Sequence, residues 1–173
     1  MIKNNISEIT KVIVSGLNKY TGLTVVETDN PHNRPAYPYL SYKITNLRHQ
    51  INEGGEHERY FDKSLDDRFK YDYIEAVKYE PYIILSINAY GDSTISAQGS
   101  AINALHYFKH AGYYDISRVN AVVVDTTDII DRTVFEVDKY EYRYGFDVRI
   151  RYMEEITRRI ETIEEAITKG EIV

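Results

Sequence analysis

Hydrophobic and polar positions follow two different periods along the chain. Near the start, apolar residues recur three and four positions apart and predict an amphipathic helix over residues 6–17. A β-branched run at 23–28 predicts a short strand, and alternating residues at 39–47 predict a second one. Between them, three prolines and two asparagines at 29–38 predict a loop, because these residues disfavour both helix and sheet.

The middle of the chain predicts two strands followed by a helix. Segments 71–79 and 82–90 both read as strands, and the second carries apolar residues on both faces, as a central strand does. Ser93 is expected to cap a helix, because its hydroxyl can accept a hydrogen bond from the first turn. Apolar residues spaced over 95–108 predict that helix, and Gly112 is expected to end it.

The clearest pattern is a long strand in the last third of the chain. Every even-numbered residue from 140 to 152 is aromatic or aliphatic, whereas the odd-numbered residues are glutamate, arginine, glycine or aspartate. Such sustained alternation predicts a strand of about 40 Å with one apolar face. A short buried strand is predicted before it, at 121–125.

Two segments allow more than one interpretation. The charged stretch 49–70 is expected to be an exposed loop or a hairpin extension, and a loop of this length is unusual unless it is functional or becomes ordered on a partner. In the tail, four isoleucines between 156 and 167 have helical spacing and favour a helix. The alternative is an extended arm that completes its pairing on a neighbouring subunit.

Together these elements favour an α+β fold. The strands occur in runs without regular strand–helix alternation, which predicts a mainly antiparallel, twisted sheet with helices packed on one face and long β-hairpin or loop extensions. We expect one domain over residues 1–153, followed by a C-terminal helix or arm at 154–173. A chain of 173 residues is long enough to bury such a core.

Composition excludes several kinds of chemistry. With 21 basic and 27 acidic residues the net charge is −6, so broad electrostatic attraction to nucleic acid or anionic lipid is not expected. The absence of cysteine excludes disulfides, thiolate nucleophiles and thiolate metal sites. The N-terminal residues do not form a signal-peptide pattern and no apolar run is long enough to span a membrane, so we expect a soluble protein made without secretion signals.

Candidate catalytic and metal-binding residues form no complete motif. His106 and His110 are four residues apart on the predicted helix, but position 107 is tyrosine rather than the glutamate of a zinc-protease motif. His57 lies among acidic residues that lack the ligand spacing of a calcium loop, and the glycines form no phosphate-binding motif. We therefore predict no enzymatic activity, no cofactor and no metal. A small metal-dependent hydrolase that uses these residues is the alternative from a different class.

Tyrosine is the compositional anomaly, with 17 residues of 173. Its apolar ring and polar hydroxyl suit interfaces with one dry and one wet side, although strands favour aromatic residues in any case. If tyrosines mark subunit contacts, the odd-numbered arginines of the long strand, Arg143, Arg149 and Arg151, are available to pair with acidic groups at 53–67 of the next subunit. That arrangement would be a head-to-tail ring.

Three short motifs resemble a known family. Residues 38–42 (PYLSY), 87–91 (INAYG, leading into an alanine-rich helix) and 142–148 (YRYGFDV) resemble the tail terminator or neck proteins of tailed bacteriophages and of prophage-derived, tail-like particles. The resemblance covers residues 2–152. The order of elements is also similar: a helix, an antiparallel sheet, a helix laid on the sheet and a long penultimate strand.

The resemblance implies a structural role in the virion, with assembly in the bacterial host cytoplasm. Such proteins form a ring, usually a hexamer, on the last ring of the tail tube. The ring ends tube growth, anchors the sheath in contractile tails and docks the neck connector or stopper protein, while DNA passes through the channel without specific binding. A head-completion or stopper protein is the alternative neck component. The residues expected at the assembly interface are Arg59, Tyr60, Arg68, Tyr71, Tyr73, Arg143, Arg149 and Arg151.

Overall fold

Two sheets organise the fold, and they belong to two separate units of the chain. The computed structural model describes residues 2–3, 6–29, 34–49 and 54–161. The smaller unit holds a four-stranded sheet and the larger unit a seven-stranded sheet. The smaller unit contains the described residues of 1–4, 52–79 and 154–173, and the larger unit those of 5–51 and 80–153. This division differs from the single domain expected over 1–153.

The α+β class is confirmed by the elements of both units. In chain order, the strands are β1 (Ile2–Lys3), β2 (Thr24–Glu27), β3 (Tyr39–His49), β4 (Glu56–Lys63), β5 (Tyr71–Tyr79), β6 (Tyr82–Gly91), β7 (Ala121–Thr126), β8 (Ile130–Asp131), β9 (Val134–Glu136), β10 (Lys139–Tyr152) and β11 (Glu154–Glu161). The helices are α1 (Ile6–Thr21), α2 (Thr94–His106) and α3 (Tyr113–Ser117), with a π-helical turn, Tyr107–Ala111, between α2 and α3. Among the described strand pairs, β2 with β3 is parallel and the others are antiparallel.

Helix α1 buries the stripe that its sequence period predicts. Ile9, Ile13 and Leu17 each expose 2% or less of their surface. The helix ends at Thr21 because Gly22 adopts a left-handed φ of +71° and donates its N–H to the carbonyl oxygen of Asn18, at 2.9 Å. Glycine adopts this conformation without the steric cost that a Cβ atom would impose.

Strand β6 is central in the larger sheet, as predicted. It pairs with β3 on one side and β10 on the other, in the order β2-β3-β6-β10-β7. Its odd-numbered residues Ile83, Leu85 and Ile87 join the same hydrophobic core as the buried residues of the helices. The helices therefore cover one face of the larger sheet, which is the arrangement expected from the sequence.

Helix α2 approaches the sheet closely because its buried side chains are small. Ala97, Ala101 and Ala104 are fully buried, and Ser93 caps the helix by accepting the Ser96 N–H at 3.3 Å. The predicted helix was continuous to residue 108, whereas the structure changes to the π-helical turn after His106. The wider turn buries the adjacent side chains of 107 and 108 together.

Residues 121–136 form one interrupted edge along β10. Strands β7, β8 and β9 follow one another antiparallel to it, with Ala121 opposite Tyr152, Ile130 opposite Gly145 and Glu136 opposite Lys139. The prediction of a buried strand at 121–125 was wrong, since β7 is an edge strand and Val124 is 46% exposed. A run of valines indicates burial on both faces, but at an edge one flank of the strand still meets solvent.

The charged segment 49–70 contains a strand rather than only a loop. Strand β4 pairs antiparallel with β5 along all eight of its residues, so the hairpin interpretation is confirmed for 56–63. The remaining turn at 64–70 is closed by the Ser64 N–H, which donates to the Lys70 carbonyl at 3.2 Å. Residues 50–53 of this segment, and 30–33 of the predicted loop, lie outside the described residues.

The predicted tail helix was wrong over 154–161, where the chain forms β11. This strand pairs with β5 of the same chain from Glu154–Tyr79 to Glu161–Asp72, rather than with a neighbouring subunit. Ile156 and Ile160 misled the prediction because a spacing of four residues places side chains on one face of a helix and also on one face of a strand. The rest of the predicted tail, 162–173, lies outside the described residues.

Within the described residues, no helix has the length and apolar character that a membrane span requires.

Candidate functional site

Burial changes sides along β10. From Phe146 to Tyr152 the even-numbered side chains are at most 2% exposed, because they lie in the core beneath the helices. Toward the start of the strand the even-numbered Tyr140 is 59% exposed. The odd-numbered side does the opposite, since Glu141 is buried whereas Arg149 is exposed. The strand therefore presents an open aromatic surface near one end and an open charged surface near the other.

The buried carboxylate of Glu141 is held by a loop more than a hundred residues away. One guanidinium nitrogen of Arg34 donates to Glu141 Oε1, and the Tyr37 hydroxyl lies 3.5 Å from the same oxygen. Arg34 also pairs with Glu136 at 3.2 Å. The hydrogen bond to Glu136 and the nearby charge of Glu141 raise the pKa of Arg34 above its ordinary value. This ionic cluster fixes the loop before β3 against the β9–β10 hairpin.

Stacked aromatic rings continue from this cluster into the sheet. The ring of Tyr39 stacks on Tyr37 at 5.7 Å and on Tyr90 at 4.6 Å, measured between ring centroids. The Arg143 guanidinium lies 5.7 Å from the Tyr90 ring. Burial, followed by the proximity of Tyr90 and Glu141, raises the pKa of Tyr39. A polar cavity of about 270 Å³ lies beside these residues.

The tip of the β9–β10 hairpin is apolar and open. Phe135 packs edge-on against Tyr140 at 5.0 Å, and Tyr140 stacks on Tyr142 at 6.3 Å. Phe135 is 64% exposed, and Val137, between the two strands, is 91% exposed with a φ of +33°. A β-branched residue in this region of backbone space is strained, so the tip holds an exposed valine in an unfavourable conformation.

Each of the three predicted arginines on β10 already has a partner in its own chain. Arg143 is half-buried and donates to the Arg132 carbonyl at 3.0 Å. Arg149 pairs with Asp125, and Arg151 pairs with Glu80, each at 3.4 Å. The last two pairs are exposed, and such pairs contribute little to stability and exchange partners readily. The predicted contact with a neighbour's acidic segment stays a prediction.

Sequence reasoning missed the arginine that organises the middle of β10. Arg132 donates to Ser86 Oγ at 2.7 Å and Asn88 Oδ1 at 2.9 Å, and it pairs with Asp147 at 3.1 Å. Gly145 leaves room for this arginine, because a Cβ atom there would lie 2.8 Å from the guanidinium and 2.6 Å from Asn88 Oδ1. The sequence does contain one indication of this site, because Ser86 and Asn88 are polar residues within the otherwise apolar strand β6.

One face of the smaller sheet, which carries the odd-numbered residues of β4 and β5, brings together several predicted site residues. Tyr73 lies between Phe61 on β4 and Ile160 on β11, and this apolar row is open, with Phe61 66% exposed. Tyr71, at the start of β5, is 46% exposed and lies on the same face. Together with Ile160, these aromatic residues form an apolar surface that is continuous across three strands.

An ionic row lies beside the apolar row on that face. Glu75 is opposite Arg59 on β4 and opposite Arg158 on β11. Its carboxylate accepts a hydrogen bond from Arg158 at 2.7 Å and lies 4.0 Å from Arg59. The smaller sheet therefore offers alternating apolar and charged rows, and Arg59 keeps most of its side chain exposed.

Tyr60 and Arg68 are placed differently from the other predicted residues. Tyr60 points to the opposite, even-numbered face, next to Ile74. On that face Arg159 bridges Asp62 and the buried Asp72, and its hydrogen bond lowers the pKa of Asp72. In the 64–70 turn, Arg68 binds Asp66 through its guanidinium and lowers the pKa of that carboxyl to about 2.

The histidines do not form a metal centre in the described part of the chain. His57, His106 and His110 are exposed. No group of three or more histidine, aspartate or glutamate side chains with metal-binding geometry occurs among residues 2–3, 6–29, 34–49 and 54–161. Glu53 and His32 lie outside the described residues.

Comparison with known proteins places the chain in a family of structural proteins. A family model described as phage neck terminator protein matches residues 5–173, which is nearly the whole chain. A search of curated proteins found no match. The match includes segments of both units, and it continues beyond the resemblance at 2–152 to residue 173. The chain therefore belongs to the phage neck terminator family, and it is a structural component of the virion.

Proposed function

We propose that this neck protein assembles into a ring of six copies at the head-proximal end of the tail tube. The ring ends polymerisation of the tube and, in a contractile tail, anchors the last layer of sheath. Its outer surface docks the connector or stopper protein of the neck. The family match over residues 5–173 carries this proposal, since it includes nearly every residue of the chain.

Open surfaces on both units support a role that depends on binding other proteins. The smaller sheet exposes the aromatic row with Tyr71 and Tyr73 and the ionic row with Arg59, and we assign this face to contacts with the tube or with neighbouring copies. Aromatic and arginine side chains are enriched at such interfaces. Arg68, in the turn, is assigned to the rim of this contact, and Tyr60 is assigned to a second contact on the opposite face.

Charge supports a channel through which DNA passes without specific binding. The net charge of −6 disfavours tight adhesion of the DNA backbone to the ring. The arginines of β10 do not contradict this, because Arg149 and Arg151 pair with acidic residues of their own chain. We propose that the protein has no catalytic activity and that it assembles in the cytoplasm of the bacterial host.

The direct test is tube length with and without the protein. Purified tube protein is allowed to polymerise alone or with this protein, and tube lengths and ends are measured in negative-stain images. We expect unlimited tubes in the first case and capped tubes that stop growing in the second. The test variant is Phe61→Ala/Tyr73→Ala, which removes aromatic groups from the open row of the smaller sheet and should cap fewer ends.

The outcomes separate the proposal from the alternative neck role. Unchanged tube growth, together with the absence of rings on tube ends, would contradict a terminator. If particles made without the protein had tails of normal length that failed to join heads, the protein would instead be a head-completion or stopper component.

A further inference from the structure

A mostly apolar groove runs along the free edge of the larger sheet. It has a volume of about 390 Å³, and its lining includes Phe108, Tyr113, Ile116 and residues 121–126 of β7. Within the described residues β7 pairs with β10 alone, so its outer edge keeps backbone donors and acceptors open. An open strand edge beside an apolar groove is suited to binding a segment of another protein chain.

The β9–β10 hairpin, at the other end of β10 from the groove, carries an exposed apolar tip. Phe135 and Val137 are exposed at the tip, and the nine residue steps along β10 from Lys139 to Val148 separate them from the groove by about 30 Å. Because the strand holds the two surfaces about 30 Å apart, one copy cannot bring its own tip to its own groove. The two surfaces are therefore available to different neighbours.

The charges at the two surfaces are complementary. Lys109 lines the groove and is exposed, and the other charged residue of the lining, Asp125, pairs with Arg149 at 3.4 Å. Asp138 follows Val137 at the tip and is exposed, as is the next residue, Lys139. Neither Lys109 nor Asp138 forms an ion pair with any residue that the structure describes, although most other charged residues around the hairpin do, such as Arg34, Arg132 and Arg149. A lysine beside an apolar groove and an aspartate beside an apolar tip fit one another.

We propose that the hairpin tip of one copy, residues 135–138, docks in the β7 groove of a second copy. Val137 and Phe135 enter the groove, and Asp138 pairs with Lys109 of the neighbour. Because the tip and the groove are different surfaces, the contact is heterologous, and its repetition builds a ring when the rotation between successive copies closes. The inference rests on the proposed ring and names the surfaces that build it within the larger unit.

Charge reversal tests the pairing. The variants Lys109→Glu and Asp138→Lys each place like charges in contact, so each should raise the concentration needed for ring assembly by about tenfold or more. The double variant Lys109→Glu/Asp138→Lys restores the pair with opposite polarity and should assemble within a few-fold of the wild type. Gln98→Glu, an exposed charge change on α2, is the control and should have no effect.

Val137→Gly separates assembly from folding. Glycine removes the apolar side chain and also relieves the strained φ of +33°, so thermal stability should stay the same or rise while assembly weakens. Assembly is measured by mass photometry of the free protein and by counting rings on tube ends. If the wild type forms rings and the single charge variants assemble equally well, the proposed contact is wrong, although the proposed ring is not. The same conclusion follows if the double variant does not restore assembly. Absence of rings in the wild type would overturn the proposed function as well.

Discussion

The two halves of β10 share one sequence pattern and meet opposite environments. In both halves the even-numbered residues are aromatic or aliphatic, but Phe146, Val148 and Ile150 are completely buried, whereas Tyr140 is 59% exposed. The helices account for the difference, since Phe108 of the π-helical turn packs edge-on against Phe146 at 6.1 Å. Near Tyr140 the loop with Arg34 covers the odd-numbered face instead. Alternation therefore identifies a strand and its two faces, but not which face is covered.

Residue types in the two halves reflect this difference. The buried half uses Phe146, Val148 and Ile150, which have no polar atom to satisfy. The other half uses Tyr140, which is exposed, and Tyr142 and Tyr144, which are half-buried. Their hydroxyls can contact water or find partners, as the Tyr144 hydroxyl does with Asp131 at 3.1 Å. Tyrosine suits this more exposed half because its ring packs against neighbouring rings while its hydroxyl can reach water.

The largest expected effect on the free energy of unfolding is a difference between substitutions in the two halves of β10. Phe146→Ala should lower the free energy of unfolding by about 3–5 kcal/mol, because it leaves a cavity in the core. Tyr140→Ala on the same face should change it by less than about 1 kcal/mol. Urea denaturation at one fixed protein concentration measures both. Similar losses for the two variants would show that the open half is covered in the folded monomer.

A smaller effect on the free energy of unfolding is expected at Glu141, where the loop with Arg34 covers the odd-numbered face of β10. Glu141→Gln removes the buried carboxylate that Arg34 binds, and it should lower the free energy of unfolding by about 1–2 kcal/mol. Glu136→Gln, at the more exposed partner of the same arginine, is the matched control and should cost less than about 0.5 kcal/mol. Equal costs for the two carboxylates would mean that burial of Glu141 does not strengthen the pair.

The smallest effect appears only at high pH. Burial raises the pKa of Tyr107 to about 12, and its hydroxyl is buried without a hydrogen-bond partner among the described residues. Because the unfolded chain loses this proton near pH 10, stability is retained below pH 10 and falls as the pH rises toward 12. Between pH 9 and pH 11, Tyr107→Phe should lose about 1 kcal/mol less than the wild type.

Tyr140→Phe provides the comparison for that measurement. This variant removes a hydroxyl from a side chain that is 59% exposed rather than buried. Identical pH profiles for Tyr107→Phe and the wild type would show that the Tyr107 hydroxyl reaches solvent or a partner.

Local pattern was sufficient to predict most elements of the larger unit. The buried stripe of α1, the Ser93 cap and the central position of β6 follow from residues near in sequence. The tail failed because Ile156 and Ile160 fit both a helix and a strand, and pairing with β5 decided between them. Tertiary pairing of this kind is not visible in a short window of sequence.

The candidate surfaces were less predictable for a related reason. Glu141 reads as a solvent-facing residue until Arg34, 107 positions earlier, is brought beside it. Arg132 likewise has no local signal for its contacts with Ser86 and Asn88. The aromatic residues were correctly noticed as unusual, but only the folded structure shows that Phe135 and Tyr140 remain open while Phe146 does not.

Disulfide trapping tests the central claim, that the open end of the hairpin meets the β7 groove of another copy. The natural chain has no cysteine, so Lys109→Cys/Asp138→Cys introduces one unique pair. After oxidation of assembled rings, we expect a ladder of covalent multimers up to the ring number on a non-reducing denaturing gel. The control Gln98→Cys/Asp138→Cys should remain monomeric. Rings of the test variant that yield only monomers, under conditions that oxidise a reference dithiol, would contradict the account.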